Sequence, residues 1–389
     1  MQRGRMARAC LGLAAVLASV GCQAPAGGTT APAASKPAAG ASAAGQPAAG
    51  AAPAASQAPT GAAAASQAAG GTPAASQAAA APTAAPAPAT LHYSIAARTA
   101  PLWQIFVTVN KGFFTAEGID ADVQVIPIAT ASLALVSGSL DVAGMPIDTL
   151  VLTQGAGDVV GIGSETETPI YSLIGGVGVS APADLRDKAI AASGPTSGNT
   201  AVLKKIMSGI GIGPTEYQVL NVGGTPDRYA ALHSGQVGAA LLTQPFDIQA
   251  ASEGFKTLAR SPDYVPNSQY TLYNVRRPWL AENRAVAVRF LRAVMRGVRW
   301  LYDPANRADA ERILMTETGA DAPTAAQLYE LYLREVKIYQ PDAEPLLSHL
   351  QGNIDLLLDV QAIEPPAPSP EQFLDLGPLK EAQASLGPP

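Results

Sequence analysis

Residues 23–90 set the first limit on what this chain can fold into. Roughly half of them are alanine, nearly all the rest are proline, glycine, serine, threonine and glutamine, and Lys36 is the only charge. So little apolar bulk cannot offset the entropy of ordering a backbone, and the stretch is expected to be disordered. Ser-Gln-Ala recurs at Ser56, Ser66 and Ser76 with a ten-residue period. A flexible chain of this length spans about 45 Å r.m.s., so residues 22–90 read as a tether. About 91–389 of the 389 residues then remain to fold. That is enough for two cores.

Ahead of the tether, Arg3, Arg5 and Arg8 precede an apolar run over 9–20 that is too short to span a bilayer. Residues 1–21 are therefore read as a secretory signal. The phrase LASVGC (17–22) resembles the lipobox of bacterial lipoproteins, although Ser19 stands where leucine is usual. That resemblance implies lipidation of Cys22, a membrane held by the lipid anchor, and a location on the outer face of the cytoplasmic membrane. The only other cysteine, Cys10, would leave with the signal. No disulfide, cysteine nucleophile or zinc cluster can then be built downstream, and neither a metal nor a cofactor is expected.

The net charge of −6 comes from 25 basic and 31 acidic residues; without the signal it becomes 22 against 31, or −9. Such a body offers no basic footprint for nucleic acid. After the N-terminus there is no apolar run of about 18 residues, so no membrane-spanning helix is expected in the body.

The body alternates strand and helix, which predicts an α/β fold with parallel sheets and crossover helices. Strands are read over 91–97, 121–128, 141–145, 159–164 and 171–179, with helices over 101–114, 132–137 and 146–154 between them. A second series has strands over 188–192, 217–222 and 237–243, and helices over 198–210, 227–234 and 245–252. From residue 278 on, helices alone are read. In the first of these Arg289, Arg292, Arg296 and Arg299 share one face. That face is read as solvated, with docking of an acidic partner as the alternative.

Several phrases go beyond this pattern: KGFFTAEGID (111–120), ALVSGSLDVA (134–143), DLRDKAIAASGPTSGNT (184–200), VGGTPDRYAALHSGQVGAALLTQP (222–245) and EGFKTLA (253–259). Together they resemble the solute-binding proteins of nitrate, sulfonate, taurine and thiamine-precursor ABC importers, the NMT1/THI5-like family. Two positions depart from the family pattern: Asp187 stands at a common glycine and Gly238 at a common aspartate. The resemblance implies a type II periplasmic-binding-protein fold, two α/β lobes closing on a ligand at a hinge, with extra C-terminal helices. Lobe one would comprise 91–180 plus 270–389 and lobe two 181–269, with crossings near 179–184 and 264–271. It further implies capture of a small-molecule solute (a sulfonate, nitrate, pyrimidine or carboxylate) by a monomer that delivers it to an ABC permease.

Ligands of open α/β sheets bind beyond the carboxyl ends of the strands, where helix N-termini offer unpaired N–H groups. The loops that meet this test nominate Thr99, Trp103, Thr130 and Met145 from lobe one. From lobe two they nominate Ser193, Thr196, Ser197, Thr225 and Thr243. The loop over 193–200 gathers the most donors, and Trp103 is expected to oppose it by stacking. Arg98 and Arg228 are the only cations at these loop mouths, which favours a monoanion, a zwitterion or a neutral solute over a dianion. Two alternatives stay open: a ligand-sensing ectodomain partner of a receptor, and a pyrimidine-synthesis-type enzyme on the same fold. The enzyme needs a histidine and cysteines that this chain does not supply, and Glu165 and Glu167 are read as lying on an exposed loop.

Overall fold

The structure is a computed structural model, and it describes residues 87–153, 158–194 and 197–388. The signal, Cys22 and nearly all of the tether lie outside the described residues. Among the described residues ten strands form two five-stranded sheets. The first contains β1 (Ala89–Ile95), β2 (Ile119–Val125), β3 (Val142–Met145), β4 (Val159–Thr166) and β10 (Thr271–Arg276), in the order β2-β1-β3-β10-β4. The second contains β5 (Ser172–Gly175), β6 (Ala189–Ala192), β7 (Gln218–Asn221), β8 (Ala239–Leu242) and β9 (Lys256–Arg260), in the order β7-β6-β8-β5-β9.

β1 runs parallel to β2 and β3, and β6 parallel to β7 and β8. Each sheet also holds one antiparallel strand, so the expectation of purely parallel sheets needs correction. That strand is the one delivered by a crossing: β5 is antiparallel to β8 and β9, and β10 to β3 and β4. A chain arriving from the other half enters its sheet from the carboxyl edge of the parallel strands, so it must run against them. The strand expected to close the first half at residues 171–179 instead pairs in the second sheet, as Ser172–Gly175. The first crossing accordingly lies at 167–171, just after β4. It is zipped to the return crossing: Tyr270 N donates to Glu167 O at 2.7 Å and Ser261 N to Tyr171 O at 2.8 Å.

Between the first strands lie α1 (Trp103–Asn110), α2 (Phe113–Ala116), α3 (Ile128–Ser137) and α4 (Ile147–Leu152). The second sheet carries α5 (Gly198–Gly209), α6 (Thr225–His233) and α7 (Phe246–Ser252). α8 (Arg277–Tyr302), α9 (Arg307–Thr318), α10 (Ala322–Tyr329), α11 (Leu347–Asp359) and α12 (Gly377–Leu386) complete the chain. No described helix is long and apolar enough to cross a membrane.

α8 buries Phe290, Leu291, Val294 and Val298 against β1, β10 and α1. Its arginine face is tied down within the chain, although Arg292 and Arg296 remain partly exposed. Arg292 and Arg296 both pair with buried Glu117, and Arg289 donates to the carbonyls of Ala87, Glu117 and Gly118. α11 packs in one apolar cluster with α4 and α5, so this C-terminal helix straddles both halves. At Asp187 the backbone sits at φ 59°, in the left-handed region that explains why glycine is usual there.

Candidate functional site

The carboxyl ends of β1, β6 and β7 and the N-termini of α3, α5 and α6 meet around a cleft of about 290 Å³. One wall is apolar and comes from the first half: Ala96, Pro127, Ile128, Ala129 and Leu133, joined by Ser132, Thr149 and Thr153. Leu133 is 73% exposed, an unusual place for leucine unless something covers it. The opposite wall is polar: Ser193, Gly194, Ser197, Asn221, Gly223, Gly224 and Arg228.

Arg228 decides the electrostatics of this wall. It is only 4% exposed, yet its guanidinium faces neutral acceptors throughout. Nε donates to Val222 O at 3.0 Å, one Nη to Leu241 O at 3.1 Å, and the other to Ser193 Oγ at 2.6 Å and Gly223 O at 2.9 Å. Among the described residues no carboxylate lies in ion-pair range of it. Burial pulls its pKa down, but a guanidinium stays charged in proteins. A buried cation with no ion-paired carboxylate, feeling only the longer-range pull of Asp227, next to two helix N-termini, is an anion-seeking arrangement.

Of the sequence-nominated residues, Ser193 and Ser197 line the cleft. Ser193 is held from both sides, accepting at Oγ from Arg228 and from Asn199 Nδ2 at 2.9 Å. Thr200 braces the same turn by donating to Ser193 O at 2.8 Å. Thr196 lies outside the described residues. Thr225 and Thr243 are buried against each other, Oγ1 to Oγ1 at 3.1 Å, behind the polar wall. Thr130 is exposed on the α3 turn, whose neighbours Ala129 and Ser132 face the cleft instead. Met145 is buried in the core. Thr99 is buried in the first loop, which meets the second half where Ala100 N donates to Gln244 O at 2.9 Å.

Trp103 does not stack in the cleft. It is 0% exposed, its Nε1 donates to Ala310 O at 2.9 Å, and its ring packs edge-on against Tyr329. The wall expected from Trp103 is supplied by α3. Of the two loop-mouth cations, Arg98 is drawn outward to Glu317, leaving Arg228 at the cleft.

Glu165, Glu167 and Asp148 are buried carboxyls outside the cleft lining. Glu165 on β4 accepts from Tyr93 OH, and burial pushes its pKa up to about 7. Glu167, in the first crossing, is likewise pushed up to about 7, with His349 Nδ1 2.8 Å from its Oε1. The exposed loop expected for this pair is wrong, because β4 runs on through Thr166 into the buried crossing. Asp148, beside cleft-lining Thr149, is also raised to about 7 by burial. Sequence reading missed Asp148, Asn221 and Thr149; only their places at a strand end or a helix start could have flagged them.

The family model "NMT1/THI5 like" matches residues 102–308, more than half of the chain. The chain belongs to the NMT1/THI5-like family. Solved structures agree with it in fold. The alkanesulfonate-binding protein SsuA from Xanthomonas axonopodis pv. citri superposes with a TM-score of 0.60 at 17% identity, covering 74% of this chain and 99% of its own. The periplasmic nitrate-binding protein NrtA from Synechocystis PCC 6803 gives 0.66 at 14%, covering 77% and 89%. The desulfurization enzyme DSZB also shares the fold, with a TM-score of 0.55 at 15% identity, covering 77% and 99%. No curated protein matches at a significant level. This NMT1/THI5-like chain thus has the type II periplasmic-binding-protein architecture, and most of its structural neighbours are binding proteins.

Proposed function

We propose that this NMT1/THI5-like protein is the extracytoplasmic solute-binding component of an ABC importer, taking a small organic anion and handing it to a permease. The observation that carries the reading is Arg228, a buried guanidinium without a carboxylate partner on the polar wall of the cleft. The apolar α3 wall facing it suits a solute with a charged head and a short apolar part. A sulfonate or carboxylate fits that description better than bare nitrate. Closure of the halves about the two zipped crossings would bury the solute. The signal and tether add an anchor at Cys22, which labelled-lipid fractionation of the full chain would read.

Catalysis is the weaker reading, although an enzyme shares the fold. The chain has cysteine only at positions 10 and 22, and His92 and His233 sit apart on the surface. Calorimetric titration of the full chain with 1-butanesulfonate and with butyrate tests the binding reading. Replacing Arg228 with glutamine should weaken the better ligand by about ten- to a hundredfold, the loss of a charged hydrogen bond. Equal affinity in wild type and Arg228→Gln would contradict it.

A further inference from the structure

Asp148 joins three parts of the molecule and is not used by the cleft. It lies in the first turn of α4 and is 3% exposed. Its two oxygens accept from Asn353 Nδ2 on α11 at 3.0 and 3.1 Å. Asn353 in turn brackets the backbone of Gln269 on the return crossing, accepting from Gln269 N at 2.8 Å and donating to Gln269 O at 3.1 Å. The Gln269 amide reaches the first half's β4, donating to Ser164 Oγ at 2.9 Å and Thr166 O at 2.8 Å. On its other side Asp148 presses Oδ2 against Gly198, the first residue of α5 in the second half. The carboxyl occupies the space that a Cβ at position 198 would fill. One side chain thus touches both halves and the bracket that holds the hinge.

We propose that Asp148 is a proton-controlled latch between the two halves, its neutral carboxyl seated in the closed interface and its carboxylate favouring the open one. The latch rests on the binding reading only in giving closure a purpose. Burial holds the group at about 7 despite the Asn353 donors. Opening at Gly198 returns it toward water and toward an ordinary aspartate value near ~3.9. The closed state therefore binds the extra proton. Closure is fully favoured below about 4, loses ground as pH rises toward about 7, and changes no further above that. The positive end of α5 favours the carboxylate and narrows this window from above.

The other titratable groups around Asp148 are accounted for. On α11, His349 turns to Glu167, Asp355 is exposed and accepts from Gln351, and Asp359 pairs with Lys205 of α5 at 2.5 Å. Glu165 on β4 turns to Tyr93, and Glu371 beside α4 turns to Ser369. Tyr171 faces Asp148 and is buried, its own pKa raised. The first turn of α5 carries no charge.

The test needs no solute, so its failure is distinct from failure of the binding reading. Spin labels at exposed Val109 and Val219, in the full chain with Cys10 and Cys22 replaced by serine, report the distance between halves by pulsed electron resonance. Wild type should show at least about a fivefold larger closed population at pH 5.5 than at pH 8. Asp148→Asn should stay closed at both, Glu165→Gln should respond as wild type does, and Gly198→Ala should be open throughout because its methyl takes the carboxyl's seat. An unchanged wild-type distance, a pH response surviving in Asp148→Asn, or a closed Gly198→Ala would each overturn the latch.

Discussion

Glu165 shows what burial does to a single group here. Its carboxylate has one hydrogen-bond donor, Tyr93, and its other oxygen has no partner. The native pKa of about 7 lies above that of an unfolded glutamate, so the native state holds a proton that the unfolded chain gives up. Stability from this group is full below about 4.5 and lost as pH rises toward about 7. Glu165→Gln should therefore be more stable than wild type by about 1–2 kcal/mol at pH 8, with no gain at pH 4, as read by denaturant titration at both values. Lower stability at both would show that the carboxylate makes a contact the amide cannot. Ser193 and Ser197 were legible in the sequence because hydroxyls and glycine just before an apolar helix mark an N-terminus facing a cleft. Trp103 was not, because its partners Ala310 and Tyr329 lie more than 200 residues later in the chain. Arg228 was visible as a loop-mouth cation; its lack of an ion-paired carboxylate is a property of the folded neighbourhood alone.

At the scale of elements, the alternating series located β1 to β8 and α3 to α7 to within a few residues, and read α1 and α2 as one helix because the turn at Gly112, φ 70°, went unseen. β9 and β10 escaped it. β9 is short and half exposed, while β10 is buried along nearly its whole length, so neither alternates in hydropathy. These two strands complete both sheets, and their loss from the sequence reading is why the first crossing was set too late. α8 teaches the same lesson about charge. Its arginines look like a solvated stripe until Glu117, at the end of α2, is seen to take two of them. Glu117 is buried and its partners are partly exposed, so the cost of removing it is discounted for solvent. Glu117→Gln should cost about 1–2 kcal/mol in urea unfolding, more than a surface pair would. A change below about 0.3 kcal/mol would mean that the arginines find water instead.

At the scale of the whole molecule, two halves of matching strand order face each other across paired crossings, and α11 straps both. The cleft they enclose has a charged wall from the second half and an apolar wall from the first. The family resemblance gave this architecture from scattered phrases, whereas the identity of the apolar wall could not be read, because α3 faces the cleft only after both sheets are in place. On the proposed function, the cleft selects an anionic head with an apolar tail. Calorimetry on the full chain with C2 to C6 alkanesulfonates and carboxylates, beside uncharged methyl sulfones and amides of equal length, tests it most directly. At least one anion should bind with a Kd in the micromolar range or tighter, the affinity should rise with chain length before falling, and the uncharged analogue should bind at least about a hundredfold more weakly. Binding of the uncharged series as tightly as the anions, or of neither series below millimolar concentration, would contradict it.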